Sequence, residues 1–100
     1  MANYKNKETD MLFETIANLK TKKECYDFFE DLCTINEILD MSKRLSAAVL
    51  LDKNESYNEI IKKIGISTAT LSRINKSLHY GTGGYKVAID KINNKKTEDK

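Results

Sequence analysis

At 100 residues, 40% hydrophobic and 32% charged with three phenylalanines and five tyrosines, the chain can supply one domain core but not two, and it is too apolar to be intrinsically disordered. The lack of proline and the presence of only four glycines argue against a turn-rich β-sandwich or barrel, and no apolar run approaches the roughly 18 residues of a membrane span. The net charge of +2 hides a division, since residues 1–40 carry five lysines against nine acids while residues 41–100 carry twelve basic residues against six acids. An all-α, soluble and cytoplasmic domain is expected, with a basic second part of the kind that meets a polyanion.

Residues 1–9 read as a polar, flexible arm, ahead of a helical domain over 10–92. Leu12, Phe13, Ile16 and Leu19 recur at helical spacing. Thr21 with Glu24, Thr34 with Glu37 and Ser56 with Glu59 each have the spacing of a capping box, in which hydroxyl and carboxylate each take up a free backbone donor. Behind the first box, Cys25, Phe28, Phe29 and Leu32 form an apolar stripe, with Asp27, Glu30 and Asp31 on the opposite, solvated face. Behind the second, Ile35, Ile38, Met41, Leu45, Ala48 and Leu51 mark the longest helix, on which Lys43 and Arg44 occupy a polar face. Asp52–Glu55 is a polar break. A short helix follows with Tyr57, Ile60, Ile61 and Ile64 and stops at Gly65, where glycine accepts the left-handed conformation. Ser67 or Thr68 caps the next helix, whose inner stripe is Leu71, Ile74 and Leu78, and Gly81-Thr82-Gly83-Gly84 ends it. Tyr85, Ala88, Ile89 and Ile92 predict a last short helix, and 93–100 reads as a disordered tail.

The segment over about 56–80 carries the functional signal. Ile60 and Ile64 before the Gly65 turn face Leu71 and Ile74 after it, the arrangement that braces two crossed helices in a helix-turn-helix. Outward positions of the second helix, Ser67, Thr68, Ala69, Thr70, Ser72, Arg73, Asn75 and Lys76, are small, hydrogen-bonding or cationic, and Asn58 and Lys62 extend this surface onto the first helix. Small residues let a helix start approach base edges, and Arg73 and Lys76 suit phosphates. A bundle hairpin could share the glycine and the apolar spacing, but a merely solvated face usually contains acids and this one has none.

Gly65, Thr68-Ala69-Thr70-Leu71-Ser72-Arg73 and Ser77-Leu78 resemble the turn and reading helix of the Trp repressor family. The order of helices over roughly Asp10–Ile92 is similar too, and Tyr57-Asn58-Glu59-Ile60 and Tyr80-Gly81-Thr82-Gly83-Gly84-Tyr85 look most like its YerC/YecD branch. The resemblance implies a six-helix domain in an intertwined homodimer that binds double-stranded DNA, acting as a repressor. It also implies an effector pocket, in which Arg73 and Ser77 match ligand-facing positions and Arg44 or Lys43 supplies a second cation. Ile74 departs from the pattern, standing where the family uses glycine to admit an indole, so tryptophan is not the expected ligand.

Other signals are weaker. His79 has no nucleophile or orienting acid at an instructive spacing, the glycine run does not match a phosphate loop, and Cys25 and Cys33 do not form a metal pair or a disulfide scaffold. Neither enzyme activity nor a cofactor nor a metal is expected. The competing function is a protein-interaction module whose basic helix docks an acidic partner.

Overall fold

Short polar side chains that take up free backbone N–H groups set where these helices begin. In the computed structural model, which describes residues 3–98 and their side chains as far as Lys95, six helices follow one another: α1 Lys7–Ala17, α2 Lys22–Leu32, α3 Ile35–Asp52, α4 Tyr57–Ile64, α5 Thr68–Tyr80 and α6 Gly84–Glu98. Both halves of the Thr21/Glu24 and Thr34/Glu37 boxes form, with the threonine hydroxyls accepting from Glu24 N–H and Glu37 N–H at 3.1 Å each. Their carboxylates accept in return from Thr21 N–H at 3.2 Å and Thr34 N–H at 2.8 Å. At α4 only the serine half is made, Ser56 Oγ accepting from Glu59 N–H at 3.2 Å.

Both ends depart from expectation. The arm expected over residues 1–9 gives way to helix at Lys7, because Asn6 and Thr9 form a reciprocal box of their own at 2.8 and 2.9 Å. The tail expected over 93–100 is helical as far as Glu98, in a run that holds neither proline nor glycine to stop it. Met1, Ala2, Asp99 and Lys100, which belong to those two expectations, lie outside the described residues.

The chain forms two compact units, Met1–Ile38 and Leu39–Lys100, and the division falls within α3. In the first unit the apolar stripe is only half-buried: Leu12, Ile16, Leu19, Cys25, Phe28 and Phe29 are intermediate, and no described residue is fully buried. Phe28 and Phe29 meet edge to face, with ring centroids 5.6 Å apart.

The second unit owns the core. Ala47, Ala48, Leu51, Ile60, Leu71, Ile74, Leu78 and Ile89 are buried in one cluster, so α3, α4, α5 and α6 each contribute. Met41 and Leu45, on the stripe of α3, remain exposed. A fully buried leucine or isoleucine is worth about 1.5–3 kcal/mol, so Leu71, Ile74 and Leu78 together fix which face of α5 points outward.

Turn chemistry completes the frame. Asn54 adopts φ 65° and ends α3, with Asn54 N–H donating to Leu51 O at 2.9 Å and Glu55 N–H to Leu50 O at 3.1 Å, the pair of bonds of a Schellman motif. Gly65, at φ 76°, closes α4 with open space where a side chain would start, whereas a Cβ on Gly81 would meet the Ser77 carbonyl oxygen at 2.4 Å. Gly65→Ala is therefore expected to cost only the left-handed backbone penalty of about 1–2 kcal/mol, and Gly81→Ala to cost more because backbone must move. Urea unfolding of both variants checks the order, and an equal or smaller loss at Gly81 would contradict it.

Candidate nucleic-acid interface

Three residues, Gly65–Ser67, separate α4 from α5. Gly65 N–H donates to Ile61 O at 2.9 Å to end the first helix, and Ser67 Oγ accepts from Thr70 N–H at 3.1 Å to begin the second. Ser67 Oγ also donates to Thr70 Oγ1 at 2.9 Å, so these two hydroxyls first serve the cap. Ile60, Leu71, Ile74 and Leu78 supply the buried side, as the apolar spacing predicts, while Ile64 is half-buried.

On the outer side Ser67, Thr68, Ala69, Ser72, Arg73 and Lys76 are exposed, and Thr70 and Asn75 are half-buried. Asn58 and Lys62, one turn apart on α4, are exposed as well. No acidic residue occurs from Gly65 to Tyr85. The first turn of α5 thus presents partially positive N–H groups with no carboxylate to offset them. Neither Arg73 nor Lys76 makes an ion pair among the described residues, where the pairs are Lys23–Asp27 at 2.6 Å and Lys63–Glu55 at 2.8 Å.

Charge on α4 is divided in a way that residue type does not reveal. Lys62 and Lys63 are neighbours, yet Lys63 Nζ donates to Glu55 and its pKa is raised above the ordinary lysine value of 10.5. The hydrogen bond to Glu55 is the largest cause, followed by the Glu55 charge; desolvation opposes them, and the Glu59 charge adds least. The spacing of Glu59 and Lys63 on one helix was the available signal; the reach to Glu55, across a turn, had none.

A cleft of about 230 Å³ lies against α5, lined by Arg44, Thr70, Arg73, Ile74, Ser77 and Tyr85. Arg44, Arg73 and Ser77, which the family resemblance groups with Lys43 as the alternative to Arg44, line one cleft. Lys43 lines only the adjoining cleft of about 220 Å³, with Asp40, Gly65 and Ser67 among its neighbours, so Arg44 is the α3 cation that joins Arg73. Ile74 is 4% exposed, with nearly all of its side chain in the core and a small part in the cleft wall. Thr70 and Tyr85 are lining residues that sequence reasoning did not assign to the pocket. Tyr85 reaches it from α6, and its place depends on the path through Gly81–Gly84.

Other chemistry is sparse. Among the described residues no group of three or more His, Cys, Asp or Glu could hold a metal, and Cys25 and Cys33 are free thiols. His79 is exposed, its ring 6.3 Å from that of Tyr80. No described helix is long and apolar enough to cross a membrane.

Comparison with known proteins agrees with this architecture. The chain is 45% identical over 94 residues to the uncharacterized protein YerC of Bacillus subtilis strain 168, covering 94% of this chain and 90% of that one. It is 46% identical to a TrpR-like protein from Eubacterium eligens ATCC 27750 of known crystal structure, with a TM-score of 0.86 over 89% of this chain and 92% of that one. A Staphylococcus aureus crystal structure, provisionally assigned as a Trp repressor, is 40% identical with a TM-score of 0.85 over 89% of each chain. The family model for the Trp repressor protein matches residues 7–93, nearly the whole described chain, and the protein therefore belongs to the Trp repressor family.

Proposed function

We propose that this protein is a regulator of transcription, not an enzyme, which binds double-stranded DNA sequence-specifically in the cytoplasm and acts as a repressor. Its reading element is α5, laid in the major groove. The observation that carries this reading is the exposed side of α5, which is free of acids and is held outward by the burial of Leu71, Ile74 and Leu78 on the other. Thr68 and Ala69, at the exposed helix start, are assigned to base edges, with Ser72 and Asn75 beside them. Arg73 and Lys76 are assigned to phosphates, with Asn58 and Lys62 extending the contact from α4, and Ser67 and Thr70 shaping the entry.

The same reading includes a homodimer. The first unit carries Met11, Phe13, Tyr26, Leu32 and Ile35 at half exposure or more, and none of its described residues is fully buried. A second copy of the chain is the covering surface we propose. Two reading helices would then meet half-sites about 34 Å apart. Sedimentation at micromolar concentration should give about twice the chain mass of 11.4 kDa, and a stable monomer would contradict the dimer.

Arg73→Ala and Lys76→Ala should weaken binding to specific and mixed-sequence DNA alike, each lowering the salt slope by about 0.9 because one phosphate fewer is neutralised. Substitutions at Thr68 or Ala69 should change sequence preference instead, by about 1–3 kcal/mol at the affected base pair. Salt titrations on both kinds of duplex check this. An absence of DNA binding at low salt would overturn the reading in favour of an acidic protein partner.

The cleft of Arg44, Arg73 and Ser77 is proposed as an effector pocket from which tryptophan is excluded by Ile74. Calorimetry should detect no micromolar tryptophan binding by the unmodified protein. Ile74→Gly should enlarge the cleft at a cost in core packing of about 2–5 kcal/mol, so its folding is to be checked alongside. Tight tryptophan binding by the unmodified chain would refute the steric argument.

A further inference from the structure

We infer that Lys63 is a positioning residue: its ion pair with Glu55 holds α4 to the turn that precedes it, leaving Asn58 and Lys62 as the DNA-facing edge of that helix. The inference rests on the DNA-binding reading above and assigns opposite roles to two adjacent lysines.

The anchor is built into the backbone. Glu55 follows Asn54, the left-handed residue of the Schellman motif, and its own N–H is tied to Leu50 O at 3.1 Å, so its position is set by the end of α3. From there its carboxylate accepts from Lys63 Nζ at 2.8 Å, eight residues later and in the last turn of α4. The pair spans Ser56 and nearly the whole length of α4. Its side chains are 52% and 27% exposed for Lys63 and Glu55, against 84% and 62% for Lys23–Asp27, which joins successive turns of one helix and constrains nothing beyond it.

Need for such an anchor follows from length. A helix of eight residues cannot hold itself together in water, and α4 has one fully buried residue, Ile60. Tyr57, Ile61 and Ile64 are partly buried against the core beside it. The ion pair at Lys63, three residues on from Ile60, adds a polar attachment near the end of α4 that ties this short helix to the preceding turn.

Charge separates the two exposed edges. Glu59 lies one turn before Lys63, so that edge carries two carboxylates, Glu55 and Glu59, near one ammonium and would repel a phosphate. Asn58 and Lys62, also one turn apart, carry a hydrogen-bonding amide and a lysine with no ion-pair partner among the described residues.

The sign of one substitution tests the assignment. If Lys63 contacted phosphate directly, Glu55→Gln would free it and remove a repelling charge, and DNA binding would tighten. The inference expects the reverse: Glu55→Gln and Lys63→Gln each weaken binding to a selected duplex by about two- to fivefold, the range of an exposed ion pair. The salt slope should stay as in the unmodified protein, whereas Lys62→Gln lowers it by about 0.9. The exchange Glu55→Lys with Lys63→Glu should recover affinity if the pair positions α4, and should worsen it if Lys63 touches DNA. If the exchanged chain does not fold, the sign of Glu55→Gln decides alone. Tighter binding by Glu55→Gln, or a lowered slope for Lys63→Gln, overturns the inference while leaving DNA binding intact. An unmodified protein that binds no DNA overturns both.

Discussion

Everything that α5 can present to a partner depends on Leu71, Ile74 and Leu78 being buried together with Ala47, Ala48, Leu51, Ile60 and Ile89. Helix α5 has one apolar stripe, and once that stripe is taken into the core the opposite residues have no freedom to turn inward. Ala47 and Ala48 belong to the same cluster as the large side chains. Both are completely buried, in the C-terminal third of α3. Ile74 belongs to this core and to the wall of the cleft, so the cleft cannot be enlarged at this position without removing packed atoms from the cluster.

The two units divide the physical work. Leu39–Lys100 contains all of the fully buried described residues, and the proposed reading surface lies on it. Met1–Ile38 has comparable apolar side chains but leaves them half-buried or exposed, and it holds most of the acids. This asymmetry suits a chain in which one part is stabilised by its own core and the other by association. It also suits binding to a polyanion, because the acidic part is separate in sequence from the basic one.

Much of the fold was legible because its signals are local. Thr21 with Glu24, Thr34 with Glu37, Ser67 and Gly65 are punctuation that acts over four residues or fewer, and the structure uses each as its spacing suggests. The start of α1 was missed because Asn6 with Thr9 makes a reciprocal box from residue types outside the usual pattern. The extension of α6 through Asn93–Glu98 was missed because that run has no apolar residue to show a stripe, and its helix continues without one. At the site, the grouping of Arg44, Arg73 and Ser77 followed from family resemblance, but the choice of Arg44 over Lys43 needed the rotation of α3, which no single position reports. The Glu55–Lys63 pair and the arrival of Tyr85 in the cleft depend on how turns direct successive helices, and such geometry is set by packing of the whole unit.

In the proposed function the outward side of α5 reads a base sequence. The most direct test is selection of binding sites by the unmodified protein from a pool of random duplex DNA, with the recovered sequences compared. Enrichment of one sequence with two inverted half-sites about one helical turn apart is expected. Recovery of duplexes with no common sequence would show that the surface binds phosphate alone, and would contradict the claim.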